Sequence, residues 1–245
     1  MYRMMRPLLL LFVLANLTLQ GQHLTHREWL IQSFRDMRLA PAFGGRAKNA
    51  EQLASDSTFV AQMLAVNPDR HACAEHLLDL GFGLLREGDL VHAMYRFNHA
   101  YLMEPDNPRI RQAYGAFFVA LDRPDEAAAE YKKGLSLDTA NVPLMIDMAS
   151  VCLGEYYKYK DDEPEKADRV LSTADILLKR AVALEPRNAV AGSKYAVSRL
   201  LRGSCADAWK WYRQSRALDP GSIEAGFPAV LQGRCPEGGP PDGTR

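Results

Sequence analysis

The chain has 245 residues, with 30 Lys plus Arg balanced by 30 Asp plus Glu, and a pI near 7.0. A protein with no net field has nothing to draw phosphate backbones toward it, so nucleic-acid binding is disfavoured. The length admits one or two ordinary domains and forces neither.

Arg3 and Arg6 precede an apolar run over 7–19, and the polar Gln20 and Gln22 flank Gly21. This reads as an export signal, 1–21, cut near Gly21; the run is short for a bilayer span, and an uncleaved anchor is the alternative. No Cys lies near its end to carry a lipid. Thr25 and Glu28 form a capping-box pattern ahead of Trp29, Leu30, Phe34 and Met37, which predicts a helix over 26–39. The stretch 40–47, with Pro41, Gly44 and Gly45, reads as a loop. Asn49 then caps a second helix carrying Leu53, Phe59, Val60, Met63 and Leu64. These two helices, within 22–73, are expected to cap the N-terminal end of the region from residue 74 onward.

In that region the sequence repeats. Ala93, Phe97, Ala100 and Pro105 are echoed by Ala127, Tyr131 and Gly134, by Ala174, Leu178, Ala181 and Pro186, and by Ala208, Tyr212, Ser215 and Pro220. Ala93 to Ala127 and Ala174 to Ala208 are each 34 residues. A small residue, a ring or Leu, another small residue and Pro at that period mark a helix-turn-helix solenoid, in which each unit buries itself against its neighbours. The spacing predicts an all-α helix-turn-helix repeat solenoid of about four repeats, 74–107, 108–141, 142–188 and 189–222.

Ala127 to Ala174 is 47 residues, 13 more than the period. The surplus falls within 156–170 and predicts that the third repeat carries a lengthened hairpin around the turn 161–164. Tyr156, Tyr157, Tyr159 and Lys160 on it form a candidate contact patch, the alternative being that the rings pack along the longer helices. Residues 223–235 are expected to form a short C-terminal cap, and 236–245 to be disordered. Cys205 falls in the last inter-helix turn and Cys235 after the cap, which makes them a possible disulfide in an exported chain.

These repeats resemble the tetratricopeptide repeat over about 74–222, most specifically in GDLVHAMYRFNHAYLMEPDN at 88–107. With the AFGG loop, the chain is also similar to exported bacterial tetratricopeptide proteins of unassigned function. The resemblance implies a right-handed superhelix with a binding groove on its concave face, lined by positions 2, 5, 9, 12 and 13 of each first helix. Here that selects Leu78, Phe82, Leu85 and Arg86, then Arg109, Gln112 and Val119, then Ile146, Ser150 and Leu153, then Val197 and Leu200, a mainly apolar lining. The basic residue at position 5 and Asn at position 9 that grip a C-terminal carboxylate are missing. The implied partner is therefore a protein or peptide with an apolar or amphipathic segment, unless curvature or the N-terminal helices already bury these side chains. The implied role is a scaffold or adaptor in the bacterial envelope, periplasmic or secreted. The alternative is a structural accessory subunit docked by its outer face and the hairpin.

Chemistry is not expected. His23, His26, His71, His76, His92 and His99 include no i,i+4 pair on a helix and no HExxH, and the cysteines give no zinc spacing, so no metal is predicted. No GxSxG, GxxxxGK or helix-opening GxGxxG occurs, so no cofactor and no enzyme activity are expected. Membrane contact is expected only if the N-terminal segment stays attached.

Overall fold

The computed structural model describes residues 24–236, so the expected export signal at 1–21 and the tail beyond Pro236 lie outside the described residues. The described regular structure is helical: α1 (His26–Arg35), α2 (Ala50–Val66), α3 (Arg70–Arg86), α4 (Leu90–Met103), α5 (Pro108–Ala120), α6 (Pro124–Leu137), α7 (Val142–Tyr159), α8 (Pro164–Leu184), α9 (Ala189–Leu201), α10 (Cys205–Leu218) and α11 (Phe227–Arg234). From α3 to α10 each odd-numbered helix pairs with the next, and successive hairpins stack into an array.

Local chemistry fixes the joints. Asn107, Asn141 and Asn188 each open the first helix of a repeat by accepting a hydrogen bond from a backbone N–H of its first turn, and Asp89 does the same for α4. Pro108, Pro124 and Pro164 stand at first helical positions, where the missing N–H costs nothing. The turns inside the first, second and fourth hairpins pass through left-handed conformation at Gly88, Asp122 and Gly203, residue types that tolerate it.

Within a hairpin the two helices cross where one is small and the other offers a ring. A Cβ on Gly81 would collide with the Phe97 ring, and one on Gly115 with the Tyr131 ring. Gly115→Ala therefore has to push a buried tyrosine aside, at about 1–3 kcal/mol for overpacking. Alanine's better helix propensity returns about 1 kcal/mol of that. Thermal unfolding of this variant should start below wild type, and an unchanged or raised Tm would show that the ring moves without cost.

The long hairpin is formed by α7, 18 residues, and α8, 21 residues, against 13 to 14 in α5, α6, α9 and α10. The surplus lies at the end of α7 and the start of α8. At the far end of the array, α11 covers the last repeat through Phe227 and Leu231, which join Ala208 and Tyr212 in one apolar cluster. Cys205 and Cys235 are disulfide-linked with Cα atoms 5.5 Å apart, and Trp209 Nε1 donates to the Cys235 carbonyl at 2.7 Å.

The N-terminal region differs from expectation in three ways. The first repeat starts earlier than residue 74, because Asp69 caps α3 and the helix already runs from Arg70. The helix expected over 26–39 stops at Arg35, where the Asp36 side chain accepts from the Arg38 N–H and turns the chain into a short 3-10 segment, Met37–Leu39. The loop after it winds through left-handed backbone at Ala42, Phe43, Gly44 and Gly45. For Ala42 and Phe43 that conformation costs about 1–2 kcal/mol each.

That cost is offset by docking. Phe43 is buried, and the Ala42 N–H donates to Tyr114 Oη at 3.0 Å. Tyr114 in turn donates to Asn98 Oδ1 at 2.7 Å, and Asn98 Nδ2 donates to the carbonyls of Arg38 and Ala40. Trp29 is buried edge-on against Phe117 and Phe118, its Nε1 donating to the Leu39 carbonyl at 2.7 Å. Residues 24–48 thus form a strap across α4 and α5 rather than a lid on the end of the array. Only α2 sits at that end, against α3 and α4, with Phe59 stacked on His99.

Candidate functional site

The concave face is where the first helices α3, α5, α7 and α9 lie side by side, and the structure sorts its expected lining into two groups. Leu78, Ile146, Leu153 and Leu200 are buried, so they are core and not groove. A long aliphatic side chain at these positions withdraws between neighbouring helices, where its transfer from water is worth about 1.5–3 kcal/mol. Phe82 and Leu85 are half-buried against the first core, Phe82 edge-on to Phe97 with the Arg109 guanidinium over its ring. Val197 is likewise half-buried and packs on the cores of α7–α9 and α9–α10. Arg86 and Val119 are exposed, while Arg109, Gln112 and Ser150 are partly exposed.

What faces the groove is therefore more polar than an apolar lining. Arg109 pairs with Glu75 and, at 2.5 Å, with Asp79 on the preceding first helix. Gln112 Nε2 donates to Asp147 Oδ2 at 2.7 Å on the following one. Asp79, Asp147 and Lys194 occupy position 6 of their repeats, one residue beyond the expected position 5. That register was the available signal for the polar rungs, and the apolar pattern around it hid them.

Between α5 and α7 the groove deepens into a cavity of about 640 Å³. Its walls are Ala116, Val119, Val151 and Tyr131, and its polar groups are Asp122, Arg123, Asp147, Ser150, Glu155 and Lys158, with Arg123 paired to Glu126. Ser150 Oγ donates to the Ile146 carbonyl at 2.7 Å, so its proton is already used within α7. Oε1 of Glu155 is buried with no hydrogen-bond partner, and burial, helped by the nearby Asp125 charge, holds this carboxyl above its ordinary pKa. Burial also raises Asp147, with Gln112 and Lys194 opposing it.

A carboxyl whose folded pKa lies above its unfolded one costs stability when ionised, so its favourable contribution is complete below the unfolded pKa and lost as pH rises through the folded one. Asp147→Asn keeps an acceptor for Gln112 and removes that cost. This variant should melt above wild type at pH 7 and with it below about pH 4, the usual aspartate range. A lower Tm at pH 7 would mean that the charge is stabilising.

The long hairpin offers less than its sequence suggested. Tyr159 is buried under Lys166, whose Nζ sits 3.6 Å from the ring centroid, so it is not part of a contact patch. Tyr156 is half-buried and edge-on to Tyr157, Lys160 pairs with Asp161 at 2.6 Å, and Tyr157 is the exposed ring. A second cavity of about 740 Å³ lies outside the groove, between the strap, α2 and α4. Its main charges are already matched, Arg38 with Asp36 and Lys48 with Asp56. Among the described residues no three or more His, Cys, Asp or Glu converge to hold a metal ion, and no helix is long and apolar enough to cross a membrane.

No family model matches this sequence, and no curated protein does. Among solved structures it is similar to a thermophilic tetratricopeptide-repeat protein of Thermus thermophilus, with a TM-score of 0.55 and 18% identity, over 66% of this chain and 86% of that one. Taken with the paired helices and the small-on-ring crossings, this likeness shows that the chain has the fold of a tetratricopeptide-repeat solenoid.

Proposed function

We propose that this chain is a non-catalytic scaffold of the bacterial cell envelope that holds a segment of a partner protein in its concave groove, centred on the α5–α7 cavity. The observation that supports this most is the cavity itself, which joins apolar walls to the carboxyls of Asp147 and Glu155, the latter with a buried unpartnered oxygen. The segment it suits is amphipathic: an apolar side chain against Ala116, Val119 and Val151, and a Lys or Arg against Asp147 and Glu155. Those two carboxyls are eight residues apart on α7, about 12 Å along the axis. That is the reach of two basic side chains four residues apart in an extended strand.

The strap leaves this groove open, because its contacts run to Tyr95, Asn98, Tyr101, Tyr114, Phe117 and Phe118. The test is a peptide array probed with the full chain, followed by anisotropy on the peptides retained. Bound peptides should carry Lys or Arg beside apolar residues and lose at least about tenfold affinity, 1.4 kcal/mol, to Val119→Trp, which fills the cavity, and to Glu155→Gln. Peptides that bind both variants as well as wild type would place the site elsewhere.

A further inference from the structure

α1 is apolar on the face where a surface helix is ordinarily polar. Trp29 and Ser33 point into the body, and at 100° per residue Ile31 and Phe34 fall on the far side with Leu30 on the flank next to them. They are 49%, 51% and 83% exposed. The helix cannot roll to hide them. Trp29 is locked by its bond to the Leu39 carbonyl, and the Arg46 guanidinium binds the carbonyls of Ser33 and Phe34.

The charge around this face is one-sided. Of the strap's cations, Arg38 is paired with Asp36, Lys48 with Asp56, and Arg46 with the α1 carbonyls, while Glu28 is held in the cap by Thr25, which leaves Arg27 and Arg35 as the charges beside this face. Arg27 lies in the apolar stripe itself and Arg35 beside it. An exposed apolar stripe rimmed by arginines has the two features that hold a helix in the plane of an anionic bilayer. The apolar run 7–19 ends six residues before α1, so a run held in a bilayer keeps α1 within about 20 Å of it.

We propose that α1 lies on an anionic membrane surface, with Leu30, Ile31 and Phe34 entering the boundary between headgroups and acyl chains and Arg27 and Arg35 facing lipid phosphates. The groove would then be presented from a membrane-attached body, whatever becomes of the segment before residue 22.

The test uses the full chain with Phe34→Cys labelled by an environment-sensitive nitrobenzoxadiazole dye. Cys73 and Cys152 are buried and the other two cysteines are paired, so the new thiol is the accessible one. Val66→Cys, at an 88% exposed position at the end of α2, is the control. On vesicles of phosphatidylglycerol and phosphatidylcholine the position-34 dye should brighten at least about twofold and shift to the blue, with no change at position 66. Adding Ile31→Asp to the labelled chain should weaken vesicle affinity about tenfold, and 0.5 M salt should weaken it further by screening.

A dye at position 34 that stays in water on added vesicles overturns the proposal, as does an equal response on phosphatidylcholine alone or at both positions. So does a dimer in sedimentation that Phe34→Asp dissolves, since the face then holds a second copy.

Discussion

Trp29→Ala is expected to cost about 3–5 kcal/mol and to release the strap while leaving the repeats folded. The indole is the strap's largest buried side chain, edge-on to both Phe117 and Phe118. Its N–H also satisfies the Leu39 carbonyl in a place where water does not reach. Removing it leaves a cavity and an orphaned acceptor together, and the two left-handed residues Ala42 and Phe43 then have less docking energy to hold them. Limited proteolysis should cut within 36–48 in the variant and not in wild type, and amide exchange there should approach that of a mobile segment. α7 to α10, which do not touch the strap, should exchange as before. Uniform loss of protection would mean that strap and array unfold as one unit.

Replacing Cys205 and Cys235 with Ser is expected to cost about 3.6 kcal/mol, the loop-entropy value for a bridge closing a 30-residue separation. The effect should be local at first. α11 has only eight residues, too few to be stable alone, and it rests on the array through Phe227 and Leu231. Without the bridge it should fray, exposing Ala208 and Tyr212 at the end of the solenoid, where an uncovered apolar face invites aggregation. Wild type should lose the same stability on adding reductant, and the double Ser variant should not respond. Equal melting of the two proteins with and without reductant would show that the bridge constrains nothing.

The array was legible because its rules are local. Gly81 under Phe97 and Gly115 under Tyr131 are crossings that the period itself announces, and the 13-residue excess locates the long hairpin. The groove was legible in place but not in character. At position 5, Leu78 and Ile146 sink between helices, whereas Gln112 stays out and finds Asp147, a choice made by neighbours on the next repeat and not by spacing. Least legible was the strap. It depends on bonds such as Ala42 to Tyr114 and Asn98 to Ala40, which join residues 72 and 58 apart. Asn98, polar between the buried Phe97 and Ala100, was the one local sign that α4 receives something there.

The central claim is that the partner enters the concave groove between α5 and α7. Photo-crosslinking from Val119, at the mouth of the cavity, set against Ile176, exposed on the outer helix α8, tests it in the cells that make the protein. With a benzoylphenylalanine at each position in turn, the account predicts one specific adduct from position 119, lost on Glu155→Gln, and none from position 176. The same adduct from position 176, or an adduct from position 119 that ignores Glu155→Gln, would contradict it.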